Sequence, residues 1–177
     1  MGGVSAPHSR ARAAGHGEAI PAAAGARWLP DSRRTEGSIM TDPRATTETT
    51  REVVNQFMQH RVAADIDAMM ELIADDAEFH SFGSPKADWL GTTTGKSAAR
   101  EFFTRLFAGI TPVDAQLRAI VVDGAEAVIL GDIQVTVNAT GRTYDSPFAL
   151  ALTVQDGLIA RHHVFEDSYA LHLALND

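Results

Sequence analysis

An α+β fold, with helices on one side of a curved antiparallel sheet, is what this sequence predicts. Three observations carry the prediction. Apolar residues recur at helical spacing as far as Phe107, the period changes to two after Pro112, and turn-forming residues separate the long β-rich runs that follow.

The first helix is expected from Thr49, where Thr49-x-x-Glu52 has the pattern of a capping box and Val53, Val54, Phe57, Met58 and Val62 follow on one face. Asp65 is placed to cap a short second helix carrying Ile66, Met69, Met70 and Ile73. Ala77–Phe82 reads as a strand, and the Gly-, Pro- and Thr-containing stretch after it, with Trp89 and Leu90, reads as a loop. Helical spacing returns from Ser97 to Phe107 with Phe102, Phe103 and Leu106. Four long strands are expected over Val113–Val122, Ala125–Val137, Arg142–Val154 and Leu158–Phe165, and a last helical turn or two over Ser168–Leu175. Asp123-Gly124 and Asp156-Gly157 separate two of the strand pairs, because both residue types tolerate the positive φ of a tight hairpin turn. Strands of this length coiling around three N-terminal helices make a cone enclosing a cavity, with helices as one wall and sheet as the other.

Composition narrows the function. The chain has 177 residues, of which 45% are hydrophobic and 21% charged, enough for one domain with a packed core. Residues 1–48 are rich in Ala, Gly, Arg, Pro and Ser and keep no apolar periodicity. A disordered extension is expected there, with Met40 as the expected start of translation, and the folded domain in 49–177. That first segment holds six Arg against five acids, leaving nine basic and eighteen acidic residues in 49–177. A domain so acidic repels a polyanion, so nucleic acid is not the expected partner. No apolar run approaches the roughly 20 residues of a membrane span, so a soluble, cytoplasmic protein is expected. The absence of cysteine excludes disulfides, thiol catalysis and thiolate-held metal.

Three stretches resemble the nuclear transport factor 2-like superfamily, in its SnoaL-like and ketosteroid isomerase-like branch. They are Leu72-Ile73-Ala74-Asp75-Asp76-Ala77-Glu78-Phe79-His80, Gly95-Lys96-Ser97-Ala98-Ala99-Arg100-Glu101-Phe102-Phe103 and Asp156-Gly157-Leu158-Ile159-Ala160-Arg161. The resemblance implies a cystatin-like cone, a ligand pocket on its concave side and a homodimer through the convex sheet face, for which Phe165 and Val135 are suited. It implies no single activity, since the superfamily holds isomerases, hydrolases, cyclases and non-catalytic modules. The carboxylates of its best-known enzymes do not carry over. The isomerase base position falls at Ser81 and its oxyanion-donor position near Leu150; the epoxide hydrolase acid falls at Val164. A one-residue bulge would bring Asp132 to an acid position.

The same register turns His162, Val164 and Glu166 toward the cavity, and His163 and Phe165 toward the convex side. His162 and His163 are neighbours on a strand, so they cannot chelate one metal together. An imidazole in an apolar pocket can act as general acid or base; the plainer reading is a core histidine bonded to a backbone carbonyl. Asp132 lies in a strictly alternating run, so it is either solvent-facing or the carboxylate partner of His162. Ser81 is expected inward and His80 outward. Glu166 reads as a rim residue, and Arg61 as solvated unless it meets an anionic substrate. Gly91-Thr92-Thr93-Thr94-Gly95-Lys96-Ser97 is one residue short of a phosphate-binding loop and follows no strand of a βαβ unit, so nucleotide binding is rejected.

The expected function is therefore cofactor-independent acid–base chemistry (isomerisation, cyclisation, dehydration or hydrolysis) on a small, oxygenated, hydrophobic molecule. His162, Asp132 and Ser81 are the catalytic candidates, and Phe57, Phe79, Trp89, Phe103, Phe148 and Val164 the pocket wall. No metal or other cofactor is called for. The alternative is a non-catalytic ligand-binding or dimerisation module of the same fold.

Overall fold

In the computed structural model, residues 43–176 are described. A 20-residue helix, α1 (Pro43–Val62), comes first. It starts well ahead of Thr49, because proline suits the first helical position: its φ is already helical and its missing N–H would have had no partner. Thr49 and Glu52 therefore lie inside the helix, and residues 43–48, expected to be disordered, are helical. The expectations for residues 1–42 fall outside the described residues. Helix α2 (Ile66–Glu71) is capped by Asp65, whose carboxylate accepts from the Ala68 N–H at 3.1 Å. Ile73, expected on that helix, instead opens strand β1 (Ile73–Ser81).

A short strand the sequence did not announce, β2 (Gly91–Thr94), pairs antiparallel with β1 and leads into helix α3 (Lys96–Gly109). The Thr-rich stretch that mimics a phosphate loop is thus a sheet edge. Four long strands follow: β3 (Ile110–Asp123), β4 (Glu126–Val137), β5 (Arg142–Gln155) and β6 (Leu158–Glu166), with helix α4 (Ser168–Ala174) last. Asp156 and Gly157 turn the chain from β5 into β6 with φ of 51° and 78°, the left-handed region that Asp and Gly enter most easily.

The sheet order is β2-β1-β6-β5-β4-β3. Neighbours run antiparallel except β1 and β6, which are parallel and bring the first long strand alongside the last. On β4 and β5 the inner positions are Ala127, Ile129, Val135 and Val137, facing Leu150, Leu152 and Val154, all buried. Val53, Val54 and Phe57 of α1, Met69 and Met70 of α2, and Phe102, Phe103 and Leu106 of α3 complete one continuous core with them. Val135, expected on the convex face, belongs to this interior at 3% exposure, whereas Phe165 is 51% exposed on the outer side.

Gly131 sits where β3 crowds β4. A Cβ there would stand 2.5 Å from the Gln116 carbonyl oxygen and 2.6 Å from the Phe148 ring. Because one of those atoms is backbone, little can yield. Gly131→Ala is expected to cost about 2 kcal/mol, in the range of overpacked cores, as a lowered urea midpoint; an unchanged midpoint would contradict the close packing of this strand pair.

Candidate functional site

Phe79 and His162 are register partners across the parallel β1–β6 pair and point to the inner face. Their rings stack with centroids 4.6 Å apart and planes inclined by 18°. Phe57 of α1 and Phe102 and Phe103 of α3 meet the imidazole edge-on, at 5.9, 5.8 and 5.7 Å. His162 is wholly buried, and neither ring nitrogen has a hydrogen-bond partner. For the plainer reading, a core histidine bonded to a backbone carbonyl, only the ring's own backbone carbonyl among the described residues comes near enough to favour the charged form, and it forms no well-aligned hydrogen bond. Burial, reinforced by the nearby Arg61 cation, pushes the His162 pKa well below its ordinary 6.5, so the ring is neutral at physiological pH.

A polar group lies further along the same face, as the register implied. Glu166 shares the inner side of β6 with His162 and Val164. Burial pushes its carboxyl above the usual carboxylate range, against the pull of Arg61 and the Tyr144 hydroxyl, with Asp167 adding to the push. Tyr144 of β5 is 8% exposed and donates to Glu166 Oε2 at a long 3.5 Å. Its own pKa is raised, chiefly by burial and then by the Glu166 charge. The end of β6 is anchored next door: the Asp167 N–H donates to Ser146 Oγ at 2.7 Å, while the Asp167 side chain caps α4.

Arg61, on the last turn of α1, carries its guanidinium carbon 5.7 Å from the centre of the Phe103 ring. The residue is half-buried, yet its Nη1 is shielded from solvent and has no hydrogen-bond partner. Exposure grades along β6, from buried His162 to half-exposed Val164 and Glu166. Ile133 and Phe148, also at inner positions, are half-exposed as well.

The sequence candidates divide accordingly. Phe57, Phe79 and Phe103 surround His162; Ser81 is 5% exposed on the same face, paired with Val164. Phe148 packs over Gly131, and Trp89 over Gly109 at the end of α3, and among the described residues neither ring touches the imidazole. Asp132 is not brought to His162. The β4–β5 register runs without a bulge from Glu126↔Thr153 to Val137↔Arg142, which leaves Asp132 on the outer face, ion-paired to Arg118 at 3.0 Å. There it lines a depression of about 340 Å3 with Asp114, Gln134 and Asp145, away from the imidazole. His80 points outward, with Thr92 Oγ1 at 3.3 Å from its Nδ1. Among the described residues no three His, Asp or Glu side chains gather as a metal-holding group.

This fold is that of a known class. The SnoaL-like domain profile matches residues 54–162, and the chain belongs to that family. Among solved structures, a nuclear transport factor 2-like protein from Burkholderia xenovorans superposes with TM-score 0.66 at 21% identity, covering 73% of this chain and 98% of that one. A putative isomerase from Bacillus subtilis gives 0.62 at 18%, covering 72% and 92%. An epoxide hydrolase of M. tuberculosis, described as LEH-like, gives 0.58 at 16%, covering 73% and 90%. No curated protein sequence matches the chain. No helix among the described residues is long and apolar enough to cross a membrane.

Two unpartnered nitrogens in an aromatic enclosure weaken the fold, since each buried orphan costs about 1–3 kcal/mol. Leucine offers similar bulk without that penalty. His162→Leu is expected to raise stability by about 1 kcal/mol near pH 7. With its folded pKa lowered, His162 contributes stability that is full above 6.5 and declines as the pH falls below it. Glu166, raised, acts in the opposite sense, contributing below its ordinary 4.5 and losing that contribution as the pH rises. Comparing the two proteins isolates the histidine. From about pH 7 to about pH 5 the advantage of the leucine variant should widen; a constant or shrinking gap in thermal midpoints would refute the assignment.

Proposed function

We propose that the chain is a cofactor-independent enzyme that moves protons on a small, oxygenated, hydrophobic molecule held against the concave face. The carrying observation is the buried His162 ring, neutral and without a well-aligned hydrogen bond, in line with a half-buried carboxyl group. His162 and Glu166 have their pKa values pushed in opposite directions, down and up, and such divergence marks a site with separate base and acid roles. Four residues apart on one strand, they lie about 13 Å from each other by strand rise. They therefore serve opposite ends of one elongated ligand rather than a single atom.

In this reading the substrate enters over Val164 from the half-exposed end. The neutral His162 imidazole takes a proton from a carbon made acidic by a neighbouring carbonyl. The developing enolate oxygen lies against Ser81 or the ring N–H, and return of the proton to another position completes an isomerisation. Glu166, with Tyr144 as its hydrogen-bond partner, holds the far end by hydrogen bonding. Solved relatives described as a putative isomerase and an epoxide hydrolase carry the same fold, which supports chemistry of this breadth.

The closure of four phenylalanines on His162 favours a second reading, a ligand-binding module without chemistry. Deuterium uptake separates the two. With β-tetralone in D2O, followed by NMR, the wild-type protein is expected to accelerate exchange at the α-carbon. His162→Leu should lose that acceleration by about 100-fold, the usual weight of a general base. Binding of the ketone without faster exchange would leave the binding module as the correct reading.

A further inference from the structure

Arg61 carries an inference about which molecules the concave face accepts, and it rests on the reading of that face as a ligand site. We infer that the site selects ligands bearing an ionised oxygen, a carboxylate or an acidic enol, seated on Arg61, with an aromatic or otherwise flat apolar body directed toward Phe103 and Phe79.

Guanidinium groups stay charged in proteins even where burial lowers their pKa, as it does here. A buried charge is stable only if paired or richly hydrogen-bonded. Arg61 has the face of Phe103 beneath it, a cation–π contact, and it sits at the C-terminal turn of α1, where the helix dipole favours a cation. Neither supplies an acceptor for Nη1, which is shielded from solvent and unpartnered among the described residues. Glu166 is the nearby acid that senses the Arg61 charge, yet among the described residues no hydrogen bond joins its carboxylate to the guanidinium, and Tyr144 already donates to one of its oxygens. His162 and Tyr144 are neutral. The guanidinium is therefore left with a buried nitrogen that has no acceptor among the described residues. An anionic oxygen supplies the missing acceptor, and the planar fork of arginine suits a carboxylate in particular. The half-exposed Val164 and Phe148 give such a molecule an apolar floor beside the cation.

Naphthoate and its neutral isostere naphthamide are the probes, titrated calorimetrically into the full 177-residue chain at about pH 7.5. Wild-type protein is expected to bind the carboxylate at least about tenfold more tightly than the amide, the effect of one charge-assisted hydrogen bond. Arg61→Gln should remove that preference while leaving the amide affinity within about twofold; Arg61→Lys, which keeps the charge, should retain part of it. Should the glutamine variant not fold, the wild-type preference and the lysine variant decide the matter. Equal binding of both probes by the wild type overturns the anion selectivity and leaves the concave ligand site standing. A preference that survives Arg61→Gln overturns the seat on Arg61. Failure of both probes to bind overturns the selectivity together with the ligand site on which it rests.

Discussion

Parallel pairing of β1 with β6 is the constraint on which the site depends. These strands are the first and last long strands of the chain, and their register seats Phe79 opposite His162. Side chains alternate along a strand, so a slip of one residue would send His162 out and His163 in. The same register places Ser81 beside Val164 and lines up His162, Val164 and Glu166 on the concave side. Helices α1 and α3 then close over that line with Phe57, Phe102 and Phe103, which fixes where Arg61 must lie.

The consequence is an interior that is polar where packing alone would make it apolar. Elsewhere the core is built of Ile, Leu, Val and Phe, with inner positions of β4 and β5 filled as the alternation dictates. Around His162 the same aromatic packing removes water without supplying a hydrogen-bond partner. Burial shifts the imidazole and the Glu166 carboxyl in opposite directions because it disfavours the charged form of each. Arg61 adds to the first shift and opposes the second, so one cation links the two ends of the site.

Much of this was legible in the sequence. The change of period after Pro112, the Asp-Gly turns and the helical stripe through Phe102, Phe103 and Leu106 gave the α+β architecture and the family together. The inward direction of His162 and Ser81 followed from strand alternation once a register was adopted. The start of α1 was missed because the capping-box pattern at Thr49 outweighed Pro43, a better first-turn residue. Strand β2 was missed because its four residues, Gly91–Thr94, carry no alternation and are defined by pairing with β1. Asp132 was attractive as a carboxylate near the right level of the sheet, but an unbroken β4–β5 register turns it outward to Arg118. Glu166 and Tyr144 each occupy an inner position by the same period-two rule that identified His162. Their meeting was not readable, since it depends on how β5 and β6 align and on how Ser146 anchors the end of β6. Nor does a sequence disclose whether an arginine at a helix end turns inward; Arg61 does so because Phe103 lies within its reach.

The protonation state of His162 tests the central claim most directly. Nitrogen chemical shifts of the imidazole, followed by NMR as the pH is lowered, report the charge and the hydrogen bonding of each ring nitrogen. A buried ring stacked on Phe79 should remain neutral well past its ordinary value of 6.5, with neither nitrogen bonded to a protein group. A ring that titrates at or above that value, or one held by a fixed hydrogen bond from the chain, would contradict it.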